Sequence, residues 1–455
     1  MALLSSSERA VVERAGGEPM LDQVLAWAAI NSGSRNLAGL ERMADLLVDA
    51  FAILPGLIRL ERPAKVEAVD AAGRSVGVEH GRHLHLTVRP TAPLQLLFTG
   101  HMDTVFEANH AFQQTRWLEE GVLNGPGVAD MKGGLAVMLA ALKAVEASSV
   151  ADRIGYEVVI NSDEEVGSLA SASLLAQAAQ GKRAALTYEP AALPDGTLAG
   201  ARPGSGNFGI VVRGKSAHAG RNPDDGRNAL LAAADLALRL DALKRDGLTV
   251  NPSRIEGGSP SNVVPDLAVL RVNLRPRTPE IEAEAKRAID EAIAAVAAER
   301  DVRIEVNGGF ARPPKPLTQR AEALFNLVKQ AGADLGQEIA WQPSGGVCDG
   351  NNIAACGVAV VDTMGVRGRR LTRSTARSGT TLLGLPPSIR DGLTLRPGRT
   401  PSANRSARSA AASKALRPSS GLRPAWAERP CTMIAKLPLP GRAPASVPSG
   451  KAAGS

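Results

Sequence analysis

The stretch "LLFTGHMDTVF", residues 96–106, decides the fold. Its apolar first half is typical of a buried strand, and the strand runs directly into His101-x-Asp103. Side chains two residues apart on a strand point to the same face, so this histidine and carboxylate lie together. A carboxylate beside a histidine can fix its tautomer, as it does for metal-bound histidines. A simple hydrogen-bonded pair at a strand end is the alternative.

Strands alternate with helices on either side of this stretch. The segments "LHLTVRP", "YEVVINSDEE" and "AALTYEP" have the composition of short buried strands, and "MKGGLAVMLAALKAVEA" and "GSLASASLLAQAAQ" have helical spacing. Such alternation predicts an α/β domain with a mainly parallel sheet. The same style returns after "RPPKPLT" with a helix and the strand "GVAVVDTMG".

A different order of elements interrupts this domain. From Gly204 the patterns predict β-α-β-β-α-β, which is the order of a ferredoxin-like module. We therefore predict a catalytic domain in two parts, residues 1–203 and 314–364, with an α+β domain inserted at 204–313. Residues 365–455 lose all periodicity and are rich in Arg, Ser and Pro, so we predict a mostly disordered tail.

The charge distribution excludes some functions. The chain of 455 residues has a net charge of +7, but residues 365–455 alone carry 14 Arg and 3 Lys against two acids, so residues 1–364 carry −8. An acidic main body argues against a nucleic-acid-binding protein. There is no long apolar run to span a membrane and no secretory signal pattern, and three cysteines form no disulfide framework. We expect a cytoplasmic protein.

Acidic residues follow several of the predicted strands. Asp130 ends the Gly-rich turn "NGPGVAD", Glu164 and Glu165 belong to "NSDEEVGS", and Glu189 lies in "TYEP". Singly, each has an ordinary explanation, such as a helix cap for Asp130 or a solvated turn for the acidic cluster. Ligands bind at the carboxyl ends of strands in open α/β sheets, where these residues and His101 would converge. Imidazole with carboxylates suits zinc or a similar divalent ion.

The ordered motifs resemble those of the metallopeptidase family M20. They are "GHMDTV", "GPGVADMKGG", "DEEVGS", "YEP", "GKSAHAG", "GGSPSNVVPD" and "NLRPR". The resemblance implies a zinc-exopeptidase-like catalytic domain with two Zn²⁺ ions per subunit, for which Co²⁺ or Mn²⁺ can substitute. It also implies hydrolysis of a peptide or N-acyl-amino-acid bond next to a free carboxylate. By motif, the implied metal ligands are His101, Asp130 as the bridge, Glu165 and Glu189, with Asp103 orienting His101 and Glu164 as general base.

The inserted domain carries three further implied site residues. His218 would stabilise the oxyanion across the interface of a homodimer, and Asn262 and Arg275 would hold the substrate carboxylate. A surface-loop histidine and an internal salt bridge are the alternatives for His218 and Arg275.

The chain departs from the family pattern at its end. A histidine is expected in a "G-x-x-H-[ST]-x-x-E" stretch after position 364, but none of the six histidines lies beyond His218. We predict that a frameshift, or an acquired tail, has replaced the closing segment, which the neighbouring reading frame would test. A non-catalytic binding homologue is accordingly the alternative function.

Overall fold

The computed structural model describes residues 4–370 and 380–382 of the chain. The helices are α1 (Ser6–Gly16), α2 (Met20–Ala28), α3 (Leu37–Phe51), α4 (Gly133–Glu146), α5 (Ala172–Ala179), α6 (Ala229–Asp241), α7 (Pro279–Arg300), α8 (Gln319–Asp334) and α9 (Asp349–Ala355). The strands are β1 (Leu57–Glu61), β2 (Val66–Val69), β3 (Ser75–Val78), β4 (His83–Val88), β5 (Leu94–His101), β6 (Arg116–Glu119), β7 (Val122–Gly125), β8 (Ile154–Asn161), β9 (Ala184–Thr187), β10 (Leu198–Ala199), β11 (Ser205–Arg213), β12 (Leu248–Gly257), β13 (Leu267–Pro276), β14 (Arg303–Arg312), β15 (Trp341–Gln342), β16 (Val360–Val361), β17 (Gly368–Arg370) and β18 (Thr380–Leu382).

The central sheet has the strand order β1-β4-β8-β5-β9-β16 within the described residues. Strands β8, β5, β9 and β16 run parallel to one another, whereas β4 pairs antiparallel with β8 and β1 pairs antiparallel with β4. The mainly parallel α/β sheet is therefore as predicted. The parallel strands β8, β5, β9 and β16 are mostly buried because both of their faces are covered, as is usual for parallel sheets.

Adjacent residues of β5 point into two different cores. Leu96 and Phe98 pack in the large core with α2, α3 and α4, and Leu97 packs on the other face with α5 and α9. Helix α4 is nearly all apolar and almost fully buried, so it forms the middle of the larger layer. This packing on both faces fixes the position of the end of β5, and therefore the position of His101.

The segment between β10 and α8 forms a second sheet, in the order β12-β13-β11-β14 and wholly antiparallel. Helices α6 and α7 pack on one face through a separate apolar core. The chain order is β11-α6-β12-β13-α7-β14, so the ferredoxin-like arrangement is as predicted. The hairpin of β2 and β3 reaches the other face, where Arg271 Nη2 and Arg213 Nη2 each donate to one of its carbonyl oxygens at 2.6 Å.

The two chain crossings between the sheets run side by side. Arg202 and Lys315 pair as an antiparallel bridge through two main-chain hydrogen bonds of 2.9 Å. The side-chain amide of Asn351 donates to the carbonyl oxygens of Pro203 at 2.9 Å and Pro313 at 2.8 Å. The boundaries at 203/204 and 313/314 lie within this paired region, and we retain them as proposals.

Part of the region after residue 364 forms short strands. Strand β17 pairs with β18, and β18 extends the hairpin of β6 and β7. The remainder of the predicted disordered tail lies outside the described residues. None of the helices within residues 4–370 has the length and apolarity needed to span a membrane.

Candidate active site

The candidate site lies where three adjacent parallel strands end. His101 is the last residue of β5, Glu164 and Glu165 form a short 3₁₀ turn after β8, and Glu189 follows β9. Asp130 lies in an irregular turn, Val128–Lys132, that leads from β7 into α4. Because β8, β5 and β9 are neighbours in the sheet, their carboxyl ends place these side chains together.

Two sets of potential ligand atoms converge at this edge. One set is His101, Asp130 and Glu165, and the other is His101, Glu164 and Glu189; within each set all ligand atoms lie within 4.8 Å of one another. His101 Nε2 lies 3.2 Å from Asp130 Oδ1 and 3.7 Å from Glu189 Oε1. The side chain of His101 is 1% exposed and that of Glu189 is 11% exposed, so the cluster is largely shielded from water.

Asp103 supports this cluster in two ways. His101 Nδ1 is 2.9 Å from the main-chain oxygen of Asp103 and 3.4 Å from its carboxylate, so the carbonyl is the nearer partner of the ring. The carboxylate of Asp103 accepts hydrogen bonds from the main-chain N–H groups of Glu164 and Glu165, both at 3.1 Å. It also accepts one from Ser34 Oγ at 2.6 Å.

Burial and mutual charge shift the ionisation of the cluster. Burial raises the pKa of Glu189 to about 7, and the charges of Asp130 and Glu164 act in the same direction, against His101. For His101 burial alone would lower the pKa, but Glu189, Asp103 and Asp130 together raise the pKa well above 6.5. Like charges held in a buried position are unfavourable unless a cation compensates them.

Arg312 is a site residue that the sequence did not predict. It is the last residue of β14 and is 5% exposed. Its Nη1 lies 2.8 Å from Glu164 Oε1, and its Nη2 donates to the main-chain oxygen of Glu164 at 2.8 Å. Ser34 and Arg312 lie far from the acidic motifs in sequence, and only "NSGSRN" and "ARPPKP", which interrupt the periodic segments, could have drawn attention to them.

His218 and Asn262 do not contact this cluster within the chain. They lie on two exposed loops of the inserted segment that pair with each other, through a bridge of His218 to Val263 and a bond from Ala219 N to Asn262 O at 2.9 Å. Arg275 lies on β13, where its Nη1 donates to Gly345 O at 3.0 Å and its Nε to Asn273 Oδ1 at 3.1 Å. The salt bridge considered for Arg275 is absent among the described residues.

The donor set fits a divalent cation. One imidazole nitrogen and several carboxylate oxygens are ligands that zinc accepts, and three of the five residues are buried while Asp130 and Glu165 are partly buried. Glu189 Oε1 is buried without a hydrogen bond from the described residues, as expected for an oxygen that a cation would satisfy. The residues present therefore fit a divalent metal ion.

Comparison with known proteins identifies the family of the chain. A sequence profile of "Peptidase family M20/M25/M40" matches residues 97–377. Carboxypeptidase G2 of Pseudomonas sp. (strain RS-16) is 32% identical over 361 residues, which cover 76% of this chain and 85% of the relative. The chain belongs to peptidase family M20. It is an M20-type hydrolase, of a family that is generally metal-dependent and that acts on peptides or acyl-amino acids.

Other proteins similar to this chain have different described activities. A succinyl-diaminopimelate desuccinylase of Marinobacter nauticus is 26% identical over 287 residues, covering 59% of this chain and 74% of the relative. The fold matches the crystal structure of a tripeptidase from Staphylococcus aureus with a TM-score of 0.62 and 22% identity, over 82% of this chain and 93% of that one. An M20 metallo-carboxypeptidase from Sulfolobus solfataricus matches with a TM-score of 0.57 and 13% identity, over 77% and 92% of the two chains.

Proposed function

We propose that this M20 hydrolase cleaves peptide or N-acyl-amino-acid bonds next to a free carboxylate, in a zinc-dependent reaction. The observation that carries the proposal is the convergence of two sets of side chains at one sheet edge, His101 with Asp130 and Glu165 and His101 with Glu164 and Glu189. Similarity to carboxypeptidase G2 over most of both chains favours the carboxypeptidase type.

His101, Glu189 and Asp130 would hold one zinc ion, and Asp130 and Glu165 would hold a second, with Co²⁺ or Mn²⁺ as substitutes. When bound, such ions polarise a carbonyl group and lower the pKa of a water molecule. The second position would be weaker because it lacks a histidine, and each missing protein ligand reduces affinity.

Glu164 is the proposed general base. Its carboxylate oxygen lies within 4.8 Å of the ligand atoms of His101 and Glu189, so a water molecule bound between these groups would be within its reach. Its turn is held by Asp103, which accepts hydrogen bonds from the N–H groups of both Glu164 and Glu165. Glu164 would accept a proton from the attacking water and return it to the leaving amine.

His218 would act on a second copy of the chain, within a homodimer. Its Nδ1 accepts hydrogen bonds from the N–H groups of Gly220 at 3.1 Å and Arg221 at 3.2 Å, so the ring proton is on Nε2 and can be donated outward. Leu231 and Leu238, seven residues apart on α6, are 55% and 73% exposed and offer an apolar contact for a second inserted domain. Light scattering would measure the dimer, and Leu238→Glu is expected to weaken it.

Arg275 and Asn262 would hold the substrate carboxylate. Arg275 has hydrogen bonds only to neutral oxygens among the described residues, so its charge is available to an anion. A terminal carboxylate, as in an acyl-glutamate, is the proposed recognition group. A cytoplasmic location completes the proposal, since Cys348 and Cys356 are both free thiols.

Hydrolysis of N-acyl-amino acids and dipeptides by the zinc-loaded chain tests this function. Glu164→Gln is expected to lower kcat by about 10²–10⁴-fold, because general-base catalysis contributes about that much. Bound zinc, measured by mass spectrometry, should stay unchanged, and Asp49→Asn on an exposed face of α3 should behave as the wild type. Activity retained in Glu164→Gln would contradict the assignment.

A non-catalytic binding homologue is the second candidate, and the absence of any histidine beyond His218 favours it. It predicts at most one bound zinc ion and saturable binding of an acyl-amino acid without product. Two zinc ions with turnover would exclude it.

A further inference from the structure

We propose that Arg312 is a positioning residue that holds Glu164 in its catalytic orientation and ties that orientation to the inserted domain. This inference rests on the proposed role of Glu164 as general base.

Arg312 contacts both the side chain and the main chain of Glu164. Nη1 lies 2.8 Å from the side-chain Oε1, and Nη2 donates to the main-chain oxygen of the same residue at 2.8 Å. Nη2 also donates to Ser168 Oγ, at 2.7 Å, at the other end of the turn. A planar guanidinium that makes several contacts at once fixes direction as well as distance, and an ammonium group cannot reproduce this.

Arg312 is itself held in place. Its Nη2 lies 3.6 Å from Asp349 Oδ1, and that carboxylate also accepts hydrogen bonds from Ser168 Oγ and, at 2.8 Å, from Asn161 Nδ2. The side chain is 6% exposed, so no room remains for it to swing towards solvent. This arrangement separates Arg312 from Arg275, which is the arginine available to a substrate.

The link to the inserted domain follows from the position of Arg312 in the chain. It ends β14, the last strand of the inserted sheet, and it precedes Pro313, whose carbonyl oxygen is held by Asn351. Asn351 also holds Pro203 on the other crossing. The carboxylate of Glu164, at the end of a catalytic-domain strand, is therefore oriented by a residue that the inserted segment delivers.

Loss of this grip should impair the chemical step more than substrate binding. A general base displaced by about 1 Å can lose about 10²-fold in rate. We expect Arg312→Ala to lower kcat by about 10²-fold, with KM changed less than threefold and with the zinc content of the wild type. Arg312→Lys keeps the charge but loses the two-point contact, so we expect an intermediate kcat. Free guanidinium should partly restore Arg312→Ala.

A double-mutant cycle with Glu164→Gln separates positioning from general stability. If Arg312 acts through Glu164, adding Arg312→Ala to Glu164→Gln should change the residual kcat by less than threefold. Arg303→Ala, an exposed residue at the start of the same strand, is the matched control and should be silent. Circular dichroism confirms that each variant is folded, and Arg312→Lys with guanidinium rescue remain informative if Arg312→Ala does not fold.

Three results would overturn the proposal. The first is a double variant whose kcat shows the full losses of both single variants added together. The second is Arg312→Ala without rescue by guanidinium together with Arg312→Lys as active as the wild type, and the third is an Arg312→Ala variant in which only KM changes. Failure of the proposed function gives a different result. In that case Glu164→Gln keeps its activity, whatever Arg312→Ala does.

Discussion

Replacement of Asp362 is the most direct test of how the two crossings are held. Asp362 follows β16 and is fully buried. It accepts hydrogen bonds from Arg202 Nε at 2.9 Å and Nη2 at 2.8 Å, and Lys315 Nζ lies 3.1 Å away. Both cations are less than a tenth exposed. The carboxylate of Asp362 therefore compensates two buried cations, one on each chain crossing.

Asp362→Asn keeps the shape of the side chain but removes its charge, which leaves two buried cations without a counter-charge. Removing one partner of a buried ion pair costs about 3–5 kcal/mol, and we expect a loss in that range here. The triple variant Arg202→Met, Lys315→Met, Asp362→Leu removes all three charges. It should recover a large part of the lost stability, because no unpaired charge remains.

The effect should also depend on pH. Burial alone would raise the pKa of Asp362, but Arg202 and Lys315 outweigh it and lower the pKa below 3.8. A carboxyl group whose pKa is lowered on folding contributes stability above its unfolded pKa, and that contribution is lost as pH falls through the folded value. The difference between wild type and Asp362→Asn should be constant from pH 5 to pH 8 and narrow below about pH 4.

Urea unfolding followed by circular dichroism measures these differences at each pH. Asp241→Asn is the matched control, because Asp241 pairs with Lys244 at the surface and both side chains are about half exposed. An exposed pair contributes about 0–1 kcal/mol. If Asp362→Asn lost no more unfolding free energy than this control, the proposed stabilising role of Asp362 between Arg202 and Lys315 would be refuted.

Three further predictions concern other parts of the molecule. Glu157 contacts Lys182 Nζ and His85 Nε2, both at 2.6 Å, and these partners lower its pKa despite the opposing effect of burial. In urea unfolding, Glu157→Gln should therefore lower the unfolding free energy by about 1–3 kcal/mol near neutral pH and by less below about pH 4. Gly134→Ala should lower the melting temperature markedly, because a Cβ there would lie 2.0 Å from the carbonyl oxygen of Tyr188, whereas Gly77→Ala meets nothing within 4 Å and should be neutral. Removal of zinc by a chelator should lower the unfolding free energy, by about 2.7 kcal/mol if zinc had been present at 100 times its Kd. His101→Ala should abolish that difference. An unchanged unfolding curve on chelation of the wild type would argue against a resident metal.

Part of the site was predictable because three of its members lie at the ends of recognisable strands. His101, Glu164 and Glu189 follow apolar runs of ordinary strand length, and parallel strands bring their carboxyl ends to one edge. Strand order was not readable from these runs. The adjacency of β8, β5 and β9, which brings the acids within reach of His101, is a property of the sheet.

Other features left no local signal. The hairpin of β2 and β3 was not resolved by the patterns, since short exposed strands lack a clear alternation. His218 and Asn262 belong to motifs as clear as those of the ligands, yet among the described residues their recorded pairing joins their own two exposed loops and does not reach the acidic cluster. Their proposed role therefore depends on a second copy of the chain.

The sequence by itself determined the two kinds of sheet, the residues that end the parallel strands and the lack of a histidine beyond His218, because these follow from periodicity, motif and composition. Only the tertiary structure decided that Ser34 supports Asp103, that Arg312 grips Glu164 and that Asp362 joins Arg202 to Lys315. These contacts join residues 47 to 160 positions apart. Buried charged groups pair with the groups that the folded structure brings close to them. The packing of whole helices and strands sets these distances, and neighbours in the chain do not.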